Sequence, residues 1–161
     1  MQTAVLTIST TLARGEGDDV SGELLARLAG EAGCDVVARD RVTDDCGAIE
    51  RLLHGYVVDG ISLVFTTGGT GLTSDDVTPE ATRAVIERDA PGFAEALRAE
   101  SLKHTPMGIL SRGVAGIAGR TLIVNLPGNP KAIAQLFPVL APTLPHVVAT
   151  LSRSGGRAAG H

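Results

Sequence analysis

The chain opens on an apolar, partly β-branched run at residues 4–8, Ala-Val-Leu-Thr-Ile, which stops at Ser9-Thr10-Thr11. That is the pattern of a buried strand running into a polar loop. Val20, Leu24, Leu25 and Leu28 then recur at helical spacing, with Asp18, Asp19 or Ser21 placed to cap the first turn. The alternation repeats. Val36-Val37 with Val42 predicts a second strand, Ile49, Leu52, Leu53, Tyr56 and Val57 mark one helix face, and residues 61–65 form a third strand. Strands alternating with helices predict a parallel sheet joined by right-handed crossovers.

Past the third strand comes the glycine-rich segment 67–71, and Thr78-Pro79 then predicts a helix start, with Thr as cap and Pro at the first helical position. Pro91-Gly92 predicts the end of that helix. Phe93, Leu97 and residues 100–102 suggest another, and Thr121-Leu122-Ile123-Val124 is the last strong strand. Asn129-Pro130 opens a terminal helix, which Pro138, Pro142 and Pro145 interrupt, so a kinked or segmented helix is expected. With no internal repeat and no linker, residues 1–153 read as one domain, followed by a tail at 154–161 that is expected to be flexible. A chain of this length buries roughly two-thirds of its unfolded surface. The expected fold is a three-layer α/β/α arrangement around a mostly parallel central sheet.

Composition narrows the function classes. Hydrophobic residues make up 43% of the chain but aromatic ones only 2%, so the core must be built from Val, Leu, Ile and Ala, and large aromatic binding platforms are absent. A net charge of -4 and the scarcity of rings argue against a nucleic-acid partner. Cys34 and Cys46 form no CxxC pair and read as buried reduced thiols. His54, His104, His146 and His161 are scattered, which argues against a transition-metal site made by protein alone. The first residues run straight into a strand with no basic n-region, and no stretch approaches the ~20 apolar residues of a membrane span. A cytoplasmic protein is the expectation.

The polar residues collect just after each predicted strand: Ser9-Thr10-Thr11, Thr43-Asp44-Asp45, Thr66-Thr67-Gly68-Gly69-Thr70-Gly71 and Asn125-Leu126-Pro127-Gly128-Asn129. Ligands of open α/β sheets bind outside the carboxyl ends of the strands, so four loops are predicted to face one crevice. Gly68, Gly69 and Gly71 admit two readings, a backbone cradle for an anion or a tight turn that needs positive φ angles. Asp75-Asp76 shifts the balance toward the cradle, because carboxylates beside an anion repel it unless a cation intervenes. Mg2+ is the natural choice, since it binds through one or two carboxylates plus substrate phosphates. Helix-start electrostatics suffices to explain Asp75. Two nucleotide motifs are excluded: Gly17 and Gly22 have P-loop spacing but Glu23-Leu24 follows where Lys and Ser or Thr are needed, and Val20 occupies the third glycine position of a GxGxxG.

Taken in order, Thr67-Gly68-Gly69-Thr70-Gly71, Asp76-Val77-Thr78-Pro79-Glu80-Ala81 and Leu126-Pro127-Gly128-Asn129-Pro130-Lys131-Ala132 resemble the signature of the MoaB/Mog molybdopterin-binding proteins. Asp19-Val20-Ser21-Gly22 and Leu110-Ser111-Arg112-Gly113 match as well, and the likeness spans about residues 3–150. The resemblance implies Mg-ATP-dependent transfer of AMP to the phosphate of molybdopterin, usually by a trimer, with a molybdenum-inserting protein downstream. It implies Asp44 and Asp76 as catalytic carboxylates and Mg2+ ligands. It places Ser9, Asp19, Thr70, Ser101 and Ser111 near pterin and nucleotide, with Gly68, Gly69, Gly71, Pro127, Gly128 and Asn129 shaping the adjoining loops. Position 10 is Thr where many relatives carry Asp. Lys131 reads either as a phosphate attractor or as an exposed helix lysine. Two alternatives share the fold: a module that binds molybdopterin without transferring AMP, and a scaffolding trimer whose loops only satisfy turn chemistry.

Overall fold

The computed structural model describes residues 1–153. The tail expected at 154–161 lies outside the described residues. Six strands form one sheet in the order β2-β1-β3-β6-β5-β4. β1 (Gln2–Ile8), β2 (Asp35–Val42), β3 (Leu63–Thr67) and β6 (Thr121–Leu126) run parallel, as the strand-helix alternation requires. β1, β3 and β6 are central, and their almost unbroken apolar runs are buried on both faces. β2 stands at the edge, and its exposure alternates.

The two faces are covered by different helices. On one side α2 (Val20–Glu31), α5 (Pro91–Leu102), α6 (Pro130–Leu140) and α7 (Leu144–Arg153) pack over Val5, Phe65 and Val124. On the other, α3 (Cys46–Val58) and α4 (Thr78–Val85) cover Ala4, Leu6, Val64 and Ile123. The three-layer expectation therefore holds. The aliphatic core expected from composition also takes in rings: Phe65 and Phe137 meet edge to face with ring centroids 5.4 Å apart, and Tyr56 is buried on the opposite face of the sheet.

Several local expectations need correction. The Ser9-Thr10-Thr11 segment is not loop throughout but starts a single helical turn, α1 (Thr10–Ala13), with the Ser9 hydroxyl accepting from the Leu12 N–H at 3.3 Å. The helix that begins at Thr78 ends at Val85 rather than at Pro91, because a two-residue strand, β4 (Arg88–Asp89), pairs antiparallel with β5 (Ala115–Ala118). β5, Ala-Gly-Ile-Ala, lacks the β-branched run that makes a strand readable, and it forms only because β6 pairs antiparallel beside it. Pro138 does not break α6. Pro138 cannot donate to the Ala134 carbonyl, but both residues are exposed, where losing one helix bond costs less than it would in the core. The break falls instead at a 3-10 turn, Ala141–Thr143, and α7 then restarts.

By length and mean hydropathy of 1.5, the stretch Pro130–Arg153 qualifies as a membrane span. It is nevertheless segmented, and Ile133, Leu136, Phe137, Leu140, Leu144 and Leu151 all point into the core.

The start of α2 is held by a close approach. Asp19 is 6% exposed; its Oδ1 accepts from the Gly22 N–H at 2.9 Å and its Oδ2 from the Thr7 hydroxyl at 2.8 Å. A methyl group on Gly22 would stand 2.5 Å from Thr7 Oγ1 and overlap the Asp19 carboxylate. Gly22→Ala is expected to lower stability by about 1–3 kcal/mol, measured by urea unfolding. An unchanged midpoint would mean that the Asp19 contacts rearrange without cost.

Candidate active site

The four strand-end loops predicted to share a crevice are bonded to one another. Ser9 N–H donates to the Val42 carbonyl at 2.9 Å, tying the β1 and β2 ends. Gly68 N–H donates to Leu126 O at 3.2 Å and the Thr67 hydroxyl to Pro127 O at 2.8 Å, tying β3 to β6. The Ser21 hydroxyl donates to Gly128 O at 2.6 Å, which brings in the start of α2.

The glycines divide between the two readings. Gly68 and Gly69 have φ of +97° and +69°, so the turn alone demands them. A side chain at Gly68 would also strike the Ile8 carbonyl, and one at Gly69 the Thr78 hydroxyl. Thr78 does not cap α4, as its position suggested; its hydroxyl donates back to Gly68 O at 2.9 Å. Gly71 is different. Its φ is ordinary, and it is small because an added Cβ would lie 2.8 Å from Asp76 Oδ2.

Each acidic pair has one carboxylate held by a threonine. Asp45 caps α3, accepting from Ala48 N–H at 2.8 Å, whereas Asp44 Oδ2 accepts from the Thr10 N–H at 3.0 Å and hydroxyl at 2.9 Å. Asp76 Oδ2 accepts from the Thr73 N–H at 3.0 Å and hydroxyl at 2.8 Å, while Asp75 is exposed. Both Asp44 and Asp76 are thus oriented through Oδ2 by a threonine, leaving Oδ1 without a hydrogen bond among the described residues. Their loops follow β2 and β3, which flank β1, so the loop roots stand roughly 10 Å apart at ordinary strand spacing. No group of three or more His, Cys, Asp or Glu gathers among the described residues. Two single carboxylate oxygens do not make a closed metal cage, but they suit a Mg2+ ion that arrives on substrate phosphates.

Two cavities open beside these loops. The first, about 220 Å3, is lined mainly by apolar groups and by Gly71, Arg98, Ser101, Ser111, Gly113, Asn125 and Pro127. The second, about 260 Å3, is lined by Thr7, Ser9, Asp18, Asp19, Ser21, Thr67, Gly68 and Gly128. They adjoin at Pro127-Gly128. Among the sequence candidates, Gly71, Ser101, Ser111 and Pro127 fall on the first cavity, and Ser9, Asp19, Gly68 and Gly128 on the second. Asp44, Gly69, Thr70, Asp76 and Asn129 line neither. Thr70 is buried with its carbonyl accepting from Arg112 N–H, and Asn129 caps α6 through Lys131 N–H at 2.8 Å. Lys131 is exposed and lines neither cavity, as the plain helix-lysine reading expects.

Comparison with known proteins now bears on this site. Residues 4–146 match the family described as "Probable molybdopterin binding domain". The chain belongs to this family. It is 39% identical over 150 residues to a molybdopterin adenylyltransferase of Helicobacter pylori, covering 89% of this chain and 84% of that protein. It is 41% identical over 146 residues to the molybdenum cofactor synthesis protein cinnamon of Drosophila melanogaster, but spans only 24% of that protein's length. The crystal structure of the molybdopterin biosynthesis enzyme MoaB from Thermus thermophilus superposes with a TM-score of 0.88 at 39% identity, covering 94% of this chain and 96% of that one.

Within this family fold, three polar residues matter that the sequence did not single out as site residues: Asn125 and Arg112 stood there only as parts of longer segments, and Arg98 in none. Asn125 is buried on β6; its Nδ2 donates to the Thr66 and Thr82 hydroxyls at 3.0 Å each, and its Oδ1 accepts from Val114 N–H at 3.1 Å. Arg98 donates to the carbonyls of Gly113 at 2.8 Å and Ser111 at 3.3 Å, and brings a cation to the wall of the first cavity. Arg112 reaches the Asp76 loop and pairs with Glu80. No spacing rule singles these out, because each acts on carbonyls or hydroxyls distant in sequence. Cys34 is buried as expected, but Cys46 is only partly so, with its thiol pushed up chiefly by burial and then by Glu50, to which it donates at 3.3 Å.

The hydrogen bond from Arg112 holds the Glu80 carboxyl below the usual range, and Glu80 in turn pushes the guanidinium up. A depressed carboxyl contributes stability above its unfolded value of about 4.3 and loses it as pH falls through the folded value. Because the two side chains are 33% and 48% exposed, the contribution is small. Wild type is expected to melt slightly above Glu80→Gln at pH 7, with the gap closing by about pH 3. A gap that persists at low pH would show that the bond does not depend on ionised Glu80.

Proposed function

We propose that the protein is a molybdopterin adenylyltransferase of molybdenum cofactor biosynthesis. It transfers AMP from Mg-ATP to the terminal phosphate of molybdopterin and releases pyrophosphate. The observation that carries this reading is the pairing of two adjoining cavities with two threonine-oriented carboxylates, Asp44 and Asp76, each keeping one oxygen uncommitted. Similarity to a molybdopterin adenylyltransferase over most of both chains supports it.

Chemically, two anionic substrates must be brought together against their own repulsion. Mg2+ entering with ATP supplies charge neutralisation, and the free oxygens of Asp44 and Asp76 are the groups that would hold it. The mostly apolar first cavity suits the pterin, with Ser101, Ser111 and Arg98 offering polar contacts at its wall. The second cavity, beside the start of α2, is lined by Asp18 and Asp19 as well as Ser9 and Gly68, so phosphate groups would enter it together with the Mg2+ that ATP carries. A phosphate oxygen of molybdopterin then attacks the α-phosphorus of ATP in line. The bond from α-phosphorus to the pyrophosphate oxygen breaks, and pyrophosphate leaves. No covalent enzyme intermediate is needed, so the chain requires orienting groups rather than a nucleophile.

The remaining parts of the proposal are a homotrimer, a cytoplasmic location and delivery of the product to a molybdenum-inserting protein. Supporting association, Val20, Val58, Leu72, Met107 and Ile109 each expose more than half of their surface. A monomeric mass by light scattering would sink the trimer.

Asp76→Ala is expected to abolish pyrophosphate release from ATP and molybdopterin while leaving the melting temperature nearly unchanged, since the Thr73 donors that it frees face solvent. Retained activity would remove Asp76 from the mechanism. In the same assay, wild-type protein that binds molybdopterin but forms no adenylylated product would establish the alternative, a binding module without transfer.

A further inference from the structure

Arg112 sits between two residues of the first cavity wall, Ser111 and Gly113, yet its side chain leaves that cavity altogether. It crosses to the segment after β3. There Nε donates to Gly71 O at 2.8 Å, Nη2 donates to Asp76 O at 2.6 Å, and Nη1 pairs with the Glu80 carboxylate. Its own backbone N–H donates to Thr70 O at 2.9 Å. One residue therefore grips the segment at its beginning, at its acidic residue and in the first turn of the following helix.

The segment has little else to hold it. Residues 72–75 are exposed, and the internal bonds between Thr73 and Asp76 shape the turn without fixing it to the body of the protein. A guanidinium offers donors in three directions from one rigid plane, which a flexible ammonium does not reproduce.

We propose that Arg112 is the positioning residue for Asp76, setting where that carboxylate stands relative to the wall of the first cavity. Arg112 touches no substrate itself; it acts through the Gly71 and Asp76 carbonyls. The inference rests on the proposed role of Asp76 in the transfer reaction.

The test compares wild type, Arg112→Ala, Arg112→Lys and Asp76→Ala in full-length protein by amide hydrogen exchange, by molybdopterin binding without nucleotide, and by steady-state kinetics over a Mg2+ titration. Arg112→Ala is expected to speed exchange across residues 71–77 but not in β1, β3 or β6. It should lower kcat by roughly 10- to 100-fold and raise the half-saturating Mg2+ concentration, while molybdopterin affinity changes less than about 3-fold. Arg112→Lys should recover only part of kcat, and it carries the test should the alanine variant fail to fold. Unaltered exchange at residues 71–77 overturns the proposal, as does faster exchange with wild-type kcat and Mg2+ dependence. If Asp76→Ala keeps wild-type kcat, the proposed role of Asp76 fails, and the exchange data still report separately on whether Arg112 holds the loop.

Discussion

The carboxyl ends of β1 and β3 come so close that only hydrogen fits on residue 68, because any side chain there would strike the carbonyl of Ile8. That approach governs the rest of the site. With Gly68 against β1, its N–H bonds to Leu126 O, and its Cα lies beside Gly128, where an added Cβ would sit in ordinary contact at 3.4 Å. The β6 loop is thereby pressed to the β3 loop, and Ser21 adds the start of α2 through Gly128 O. Two cavities on either side of Pro127-Gly128 follow from this junction. A bulkier residue at position 68, which lines the second cavity, would strike the Ile8 carbonyl and push the β3 loop off β1.

Most of this architecture was legible because it arises from local pattern. The buried runs at β1, β3 and β6, the glycines of the turn and the proline-marked helix starts each obey a rule that acts within a few residues. What escaped was decided by distant partners. β5 is apolar but short and glycine-containing, and nothing near it in sequence signals that β6 will pair with it antiparallel. Asn125 is one polar residue in an apolar strand, and its importance lies in hydroxyls 59 and 43 positions away. Arg112 stood in a recognisable motif, yet its work is done on carbonyls 41 and 36 positions earlier. Spacing rules see faces of helices and strands, whereas these residues act between loops.

The acidic pairs show how neighbouring residues of the same type are told apart. Asp44-Asp45 and Asp75-Asp76 look equivalent in sequence, but only one member of each is held by a threonine hydroxyl and its own N–H. A donor pair on one oxygen fixes the plane of the carboxylate and leaves the other oxygen aimed but unsatisfied. Asp45 instead uses Oδ2 to cap the α3 terminus, a role that stabilises the fold. On the β1 side the backbone N–H of residue 10 donates to Asp44 whatever the side chain, and the Thr10 hydroxyl adds a second donor to the same oxygen.

The spacing of these two carboxylates also bears on how a cation would be used. Mg2+ keeps several waters and rarely binds in dedicated protein cages. Loops rooted on strands that flank β1 suit an ion already attached to a polyphosphate, each carboxylate meeting the complex from its own side. On the proposed reading, that makes metal affinity conditional on nucleotide, and nucleotide alignment conditional on both loops being in place. Asp44 is tied to the β1 end through Thr10 and Asp76 to the first cavity wall through Arg112. The two halves of the site are therefore fixed to different parts of the sheet edge, and the junction at Gly68 and Gly128 is what keeps them in a common frame.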